Sequence, residues 1–192
     1  MGKFCEDSVK WFVEALKHSA SSNDYIEIAN GELQMESVSK LLIKSNIASI
    51  KVSFSVDKPS YSVLSHPSVP KDALKVITVF DGTAYEISIK ENRTKLKNHN
   101  AVVLINVPYG LAIMKIGSDA GDVSLNGCDA KETSIITQSG DIIVKNHVSP
   151  CTVKAKSEHG DVVKNGFPNK PSINLLRCKT IDGDIILSNS SE

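Results

Sequence analysis

Hydrophobic and polar residues alternate along most of the chain after residue 23, and this period of two predicts short β-strands. The segments 47–56, 60–65 and 101–107 are rich in Val, Ile and Leu, which favour strands. Asn30-Gly31 and Asp81-Gly82 interrupt the alternation with residue pairs typical of hairpin turns. The sequence therefore predicts a β-hairpin region over residues 23–110.

One segment near the start follows a helical period instead. Val9, Phe12, Val13 and Leu16 fall at i, i+3, i+4 and i+7, so they form one apolar stripe. An amphipathic helix in a soluble chain usually turns such a stripe toward its own core, although a partner or a membrane surface is the alternative. We expect an N-terminal helix within residues 1–22 that packs on the β domain.

From residue 111 onward the alternation falls into four copies of one unit. Each copy contains Ser or Thr, two variable residues, Gly, Asp and then Val or Ile. The corner pairs are Gly121-Asp122, Gly140-Asp141, Gly160-Asp161 and Gly183-Asp184, and the Asp spacings are 19, 20 and 23 residues. A period near 20 is typical of solenoids and stacked arrays. Residues 111–192 are predicted to be four repeats of the same continuous β domain.

The register of the repeats predicts which side chains face the core. Positions two and four before each Ser or Thr are apolar in seven of eight cases, so this set points inward. Cys151 and Cys178 belong to the inward register, which favours small buried hydrophobic residues over reactive thiols. A second corner recurs at Asn126, Asn146, Asn165 and Asn189.

The Gly-Asp corner has two interpretations. Gly accepts a positive φ, and Asp can bind backbone N–H groups that no strand pairing reaches, so the corner can be purely architectural. Stacked carboxylates could instead bind a cation, but one carboxylate per corner is a sparse site for a hard ion. We favour architecture and expect no metal, no cofactor and no catalytic residue.

Basic residues dominate the outward register of the repeats. They are Lys115, Lys154, Lys156, Arg177 and Lys179. A binding strip for acidic or phosphate-rich partners is the functional interpretation of this set. The alternative is a solvated outer face in which Lys discourages contact between sheets.

Composition excludes several classes of partner and location. Lys plus Arg and Asp plus Glu both count 22, so no global field favours nucleic acid. The longest apolar runs are too short to span a bilayer, and none of the four cysteines forms a CxxC pair. As written, the sequence predicts a cytoplasmic protein; removal of a signal segment would make a cell-envelope or surface location equally compatible.

The segment "LINVPYG", followed by corners such as "SGDI", resembles the putative-adhesin family of repetitive β domains, which is related to the toastrack domains. The resemblance is clearest over residues 101–192. It implies a β-solenoid-like domain, often associated with the surface or envelope of bacteria, with no established catalytic activity. It therefore supplies no catalytic residues.

These observations predict an all-β, β-solenoid-like stacked domain with one N-terminal helix. The expected function is a non-enzymatic structural or interaction module that binds a protein partner or itself. Because the last repeat ends close to residue 192, we expect it to leave an open sheet edge for self-association, which would give a homo-oligomer. The alternatives are a β-helix carbohydrate-active enzyme and a polymer-forming regulatory β-helix protein.

Overall fold

A computed structural model describes residues 25–35, 38–70, 72–92, 101–167 and 170–189, and the helix expected within residues 1–22 lies outside these ranges. Fifteen strands make up the regular structure of the described part. They are β1 (Ile26–Glu32), β2 (Lys40–Ser45), β3 (Ser49–Phe54), β4 (Ser60–Ser65), β5 (Leu74–Phe80), β6 (Ala84–Glu91), β7 (Ala101–Val107), β8 (Ile113–Ala120), β9 (Val123–Asn126), β10 (Glu132–Ser139), β11 (Ile142–Lys145), β12 (Thr152–Ser157), β13 (Val162–Asn165), β14 (Leu175–Thr180) and β15 (Ile185–Ser188). Within the described ranges no helix has the length and apolar character needed to cross a bilayer.

The strands form two sheets, which confirms the prediction of an all-β stacked domain. Sheet 1 has eight strands in the order β1-β4-β7-β3-β9-β11-β15-β13, and sheet 2 has seven in the order β12-β14-β10-β8-β2-β6-β5. Each repeat gives its first strand to sheet 2 and its second strand to sheet 1. The Gly-Asp corner is therefore the point where the chain passes from one sheet to the other, as in a solenoid coil.

The repeats pair in parallel, but their order in space differs from their order in sequence. The fourth repeat (β14 and β15) lies between the second (β10 and β11) and the third (β12 and β13). The expectation that the last repeat leaves an open edge is therefore wrong. The third repeat forms that edge in both sheets.

The core lies between the sheets and is built from the inward register. Met114, Ile135 and Leu176 in sheet 2, and Leu125 and Val144 in sheet 1, are fully buried. Aliphatic side chains at every second position bury one continuous layer, because consecutive residues of a strand point to opposite faces. Sheet 1 and sheet 2 both include strands from before and after residue 111. The division of the chain into a hairpin region (23–110) and a repeat region (111–192) stays a prediction.

Asn30-Gly31 is not a hairpin turn, because β1 runs straight through it and pairs with β4. Gly31 serves a different purpose: a Cβ at this position would lie 2.7 Å from the ring of Tyr61. The predicted hairpin at Asp81-Gly82 does form between β5 and β6. There the Asp81 carboxylate accepts the N–H groups of Thr83 and Ala84 at 3.0 and 2.7 Å.

The structure contains a fifth corner that the repeat pattern missed. The segment from Ser45 to Ile50 links β2 in sheet 2 to β3 in sheet 1, and both strands pair in parallel with the first repeat. Ala48 stands where the repeats have Gly, and Ser49 stands where they have Asp. Relaxing the pattern to Ser/Thr-x-x-Gly/Ala-Asp/Ser-Val/Ile would have found this unit.

A histidine next to the corner at Asn146 is buried. His147 is 4% exposed, and its ring packs on Phe167 with centroids 5.5 Å apart. Burial lowers the pKa of His147 below 6.5, although a hydrogen bond with the Ser149 backbone and the charge of Asp129 act in the opposite direction.

Acidification should therefore destabilise the fold through His147. The unfolded chain takes up a proton near pH 6.5 that the folded chain resists, so the free energy of unfolding falls as the pH drops below that value. The contribution reaches at most about 1.4 kcal/mol per pH unit. Urea titrations of wild type and His147→Phe at pH 7.5 and 5.5 measure it, with His66→Phe at a half-buried histidine as control. An unchanged pH dependence in His147→Phe would contradict the assignment.

Candidate functional site

The four Gly-Asp corners share one geometry, because hydrogen bonds join the Asp residue of each corner to that of the next. This row of hydrogen-bonded Asp residues is called the Asp ladder. The N–H of Asp141 donates to Asp122 Oδ1 at 2.9 Å, that of Asp184 to Asp141 Oδ1 at 2.8 Å, and that of Asp161 to Asp184 Oδ1 at 2.8 Å. Ser49 begins the ladder, because its Oγ accepts the N–H of Asp122 at 3.3 Å. The carboxylates of Asp122, Asp141 and Asp184 thus each satisfy a donor on the neighbouring corner.

The ladder supports the architectural interpretation of the Gly-Asp corners. Among the described residues no group of three or more His, Cys, Asp or Glu side chains is arranged to hold a metal ion. The carboxylate oxygens are instead engaged by backbone donors, which is the role that a short polar side chain has at a turn. Asp161 ends the ladder at the outer repeat.

Glycine is required at the corners because neighbouring coils touch there. A Cβ on Gly140, whose φ is 137°, would lie 2.5 Å from the carbonyl oxygen of Gly121. Gly121 meets the carbonyl of Ala48 in the same way at 2.8 Å. The hydroxyls of the repeat lie beneath this stack: those of Thr137 and Thr180 are 2.8 Å apart.

All five basic residues singled out in the sequence lie exposed on the outer face of sheet 2. Four of them form two directly paired rows on β12 and β14, Lys154 beside Arg177 and Lys156 beside Lys179. These four are called the basic square. Lys115 is separated from it, because Ser134 of β10 lies between Lys115 and Arg177.

Few negative charges balance the basic square. Paired positions on adjacent strands are about 4.8 Å apart, so the four cations repel one another. Glu158 binds one of them, with its Oε1 3.2 Å from the Nζ of Lys179. The hydrogen bond and charge of Lys179 hold the pKa of Glu158 below its usual value. Among the described residues this is the one ion pair that the basic square forms, so the square itself keeps a positive charge.

The basic square lies at an uncapped end of the stack, the end coil formed by β12 and β13. Both strands lack a pairing partner on one side in the described structure. The inward residues Val153 and Ala155 are only partly buried, and Val162 is 39% exposed. Lys164 lies in this same exposed strand, at the position where the three other repeats carry Leu125, Val144 and Leu187. The end of the hydrophobic layer is therefore open.

The cysteines of the repeats are buried, as their register predicts. Cys151 and Cys178 are 0% and 2% exposed, and burial raises their pKa values to about 11 and about 12. Cys128 is equally buried, and its pKa is raised for the same reason. Thiols with such pKa values stay protonated at neutral pH and are poor nucleophiles.

The comparisons with known proteins agree with this geometry. A family model described as Toastrack DUF4097 matches residues 18–192. A putative cell adhesion protein from Clostridium sporogenes has a similar structure, with a TM-score of 0.57 and 13% identity; the match covers 86% of this chain and 100% of that one.

A putative adhesin from Bacteroides fragilis is also similar, with a TM-score of 0.43, 13% identity and coverage of 88% of this chain and 98% of that one. No curated protein matches the chain. At 13% identity, the likeness to the Clostridium sporogenes protein shows a shared fold, whereas the family match spans nearly the whole sequence.

Proposed function

The chain belongs to the Toastrack DUF4097 family, and on that premise we propose that it is a non-enzymatic interaction module. Its binding element is the end coil, and its partner is an acidic protein segment that adds to β12 as an extra strand. The observation that carries the proposal is that the basic square lies at one end of the repeat array, where β12 and β13 are each the outermost described strand of a sheet.

An added strand would pair with the backbone at the edge of the end coil and would cover its partly buried apolar side chains. An edge strand can offer backbone N–H and C=O groups to an extended segment, which then binds as another strand would. The same segment would cover the partly buried Val153 and Ala155. Solenoids normally need a capping element at each end.

The charge of the end coil selects an acidic partner. Outward side chains of a strand added beside β12 would lie about 4.8 Å from Lys154 and Lys156. Glu or Asp there would relieve the repulsion within the basic square, whereas Lys or Arg would increase it. Repulsion between these like charges lowers the stability of the isolated chain. A partner that neutralises them therefore binds more tightly, because binding relieves the repulsion.

The same charges oppose symmetric self-association through this edge. In a two-fold pairing of β12 with β12, Lys154 and Lys156 of one copy would face those of the other. Light scattering across protein concentration and salt tests this alternative. If copies did pair through the end coil, the dimer fraction would rise with salt, because salt screens the repulsion. We expect a monomer under both conditions.

The acidic-partner proposal predicts charge-dependent binding of a model strand. The probe is a synthetic peptide of alternating Glu and Val, and its control is the matching Lys and Val peptide. We expect the acidic peptide alone to bind, with an affinity that falls as salt rises. A Glu peptide with Pro at alternate positions, which cannot pair as a strand, should bind much more weakly.

Two double variants distinguish binding through the basic square from an effect of the protein's net charge. Lys154→Gln with Lys156→Gln should weaken binding about tenfold, because both contacts to the added strand are lost. Lys75→Gln with Lys131→Gln removes the same charge from exposed sites elsewhere and should have little effect. Equal losses in both double variants, measured by fluorescence anisotropy, would show that binding follows net charge and would reject the proposal.

The enzyme and polymer alternatives lead to different expectations. The carboxylate beside the basic square, Glu158, is bound to Lys179, so it is poorly placed as an acid or base. A polymer would appear as filaments in negative-stain micrographs of the purified protein. A location at the cell surface or envelope, suggested by the adhesin-like neighbours, stays a prediction beside the cytoplasmic one.

A further inference from the structure

The hydrogen bonds between neighbouring corners follow one rule along the stack. Each inner corner binds the backbone of a single residue in the next coil: its Asp or Ser side chain accepts the N–H of that residue, and the N–H after this Asp or Ser donates to the carbonyl oxygen of the same residue. Asp184, for example, donates its N–H to Asp141 Oδ1 and accepts the N–H of Ile142, both at 2.8 Å. The residues bound in this way are Asp122, Asp141, Asp184 and Asp161.

The corner of the end coil has the same acceptor and the same donor, but no described residue binds them. Asp161 is exposed, and no described N–H group donates to its carboxylate. The carbonyl oxygen of Asp161 accepts the N–H of Ile185 in β15, so the N–H of the next residue, Val162, points away from β15. No described residue accepts that N–H. The end corner is therefore open to the N–H and C=O groups of one more residue.

The same corner restricts the residue that comes before the bound N–H. Each corner glycine lies against the carbonyl oxygen of the preceding corner: a Cβ would lie 2.5 Å from it at Gly140, 2.3 Å at Gly183 and 2.1 Å at Gly160. The N–H of Asp161 points toward Asp184, so the Gly160 carbonyl in the same trans peptide group points the other way, out of the stack. A coil stacked on it needs Gly at the equivalent point, since a side chain would clash.

An apolar side chain beside the end corner is also left partly uncovered. Val162 is 39% exposed, whereas Ile142 and Ile185, which have the same position in inner coils, are 0% exposed. A further coil would cover Val162 with the apolar residue that follows its own corner, as the inner coils cover one another. Removal of this apolar surface from water favours such docking.

We propose that the partner docks on the end coil as a complete coil rather than as one strand. It has a strand beside β12, a corner made of Gly and a second residue, and a short strand beside β13, and both strands run parallel to those of the end coil. The proposal rests on the proposed function, because the strand beside β12 is the acidic segment already described. It adds a requirement of sequence. The N–H and C=O groups of the residue after Gly bind Asp161 and Val162, so this residue is not proline.

The test compares two synthetic peptides for binding to the full chain. The first is the strand of alternating Glu and Val, and the second joins that strand to "TQSGDIIV", the sequence of residues 137–144 in the second repeat. We expect the longer peptide to bind at least about tenfold more tightly, because it pairs with both sheets at once. Ala in place of its Gly should remove this gain, because the added methyl group would meet the carbonyl of Gly160. Fluorescence anisotropy measures the affinities.

A double-mutant cycle tests the contact at the corner. In the longer peptide an ester in place of the amide between Gly and Asp removes one N–H group, and in the protein Asp161→Ala removes its acceptor. Each change should weaken binding about fivefold. The two together should weaken it no more than either alone, because both remove the same hydrogen bond.

The sign of the effect distinguishes this hydrogen bond from net charge. The peptide is acidic, so loss of the Asp161 carboxylate would strengthen binding if charge alone mattered. We expect weaker binding to Asp161→Ala instead. Asp161→Asn keeps an acceptor oxygen and should recover part of the affinity.

The outcomes separate this inference from the proposed function. Equal affinity of the two peptides, or additive losses in the cycle, would overturn the docking of a coil and would leave strand addition at β12 in place. If the longer peptide showed the expected losses at Asp161 but bound Lys154→Gln with Lys156→Gln as tightly as wild type, the corner site would stand without the basic square. No binding of either peptide would reject both. A dimer in light scattering that Asp161→Ala dissociates would identify the occupant as a second copy and would also overturn the proposal.

Discussion

Gly140→Ala should destabilise the fold by about 3 kcal/mol or more, since it combines backbone strain with a clash between coils. The added methyl group would lie 2.5 Å from the carbonyl oxygen of Gly121, and the backbone cannot yield without separating two paired strands. The φ of 137° adds strain of its own for a residue with a Cβ. Thermal and urea denaturation of the purified variant measure the loss.

Substitutions at two other glycines distinguish the backbone strain from the clash between coils. Gly110 has a φ of 88° but open space around it, so Gly110→Ala reports the backbone strain alone, about 1 kcal/mol. Gly117 has neither a positive φ nor a close neighbour, so Gly117→Ala should be neutral or stabilising by about 0.5 kcal/mol. If Gly140→Ala cost no more than Gly110→Ala, contact between coils would not explain the corner glycines.

The sequence could predict the structure of each repeat but not the order in which the repeats stack. Alternation and the repeated corner were enough to place the inward residues, because each unit repeats a local choice of turn and register. The spatial order of the repeats was not predictable, since any unit with the same parallel edge can pair with any other. Long-range pairing, with the fourth repeat between the second and third, is not written in a local pattern.

The sequence also could not distinguish glycines that share a local motif but differ in their tertiary contacts. Asn30-Gly31 has the composition of a turn, yet the ring of Tyr61, distant in sequence, explains its glycine. For the candidate site, parity placed the basic residues on one outer face. It could not show that four of them would meet in register at an uncapped end, since that depends on which repeat forms the edge.

Asp141→Ala should destabilise the fold by about 1–3 kcal/mol, because it leaves a donor in the stacked corners without its partner. The Oδ1 of Asp141 accepts the N–H of Asp184 at 2.8 Å. Asp141→Asn keeps an acceptor oxygen and should cost less than Asp141→Ala. Urea denaturation at neutral pH measures both.

Asp161 is the matched control, since it has the same motif at the last position of the Asp ladder. No N–H group of a described residue donates to its carboxylate, whereas its own N–H is held by Asp184. Asp161→Ala should change stability by less than about 0.5 kcal/mol. A cost equal to that of Asp141→Ala would mean that the carboxylates act within their own corner rather than on the next one.

The variant Asp141→Ala also distinguishes a purely architectural role of the Asp ladder from the binding of a cation. Stacked carboxylates about 4.8 Å apart repel by roughly 0.9 kcal/mol even in bulk water. If a cation neutralised them, millimolar Ca²⁺ would raise the Tm of wild type, and Asp141→Ala would abolish that rise, because a ligand of the folded state stabilises by mass action. If backbone donors neutralise them, Ca²⁺ leaves the Tm of wild type unchanged and Asp141→Ala lowers it with or without the ion. We expect the second result, because each bond of the ladder already pairs a carboxylate with an N–H of the adjacent corner.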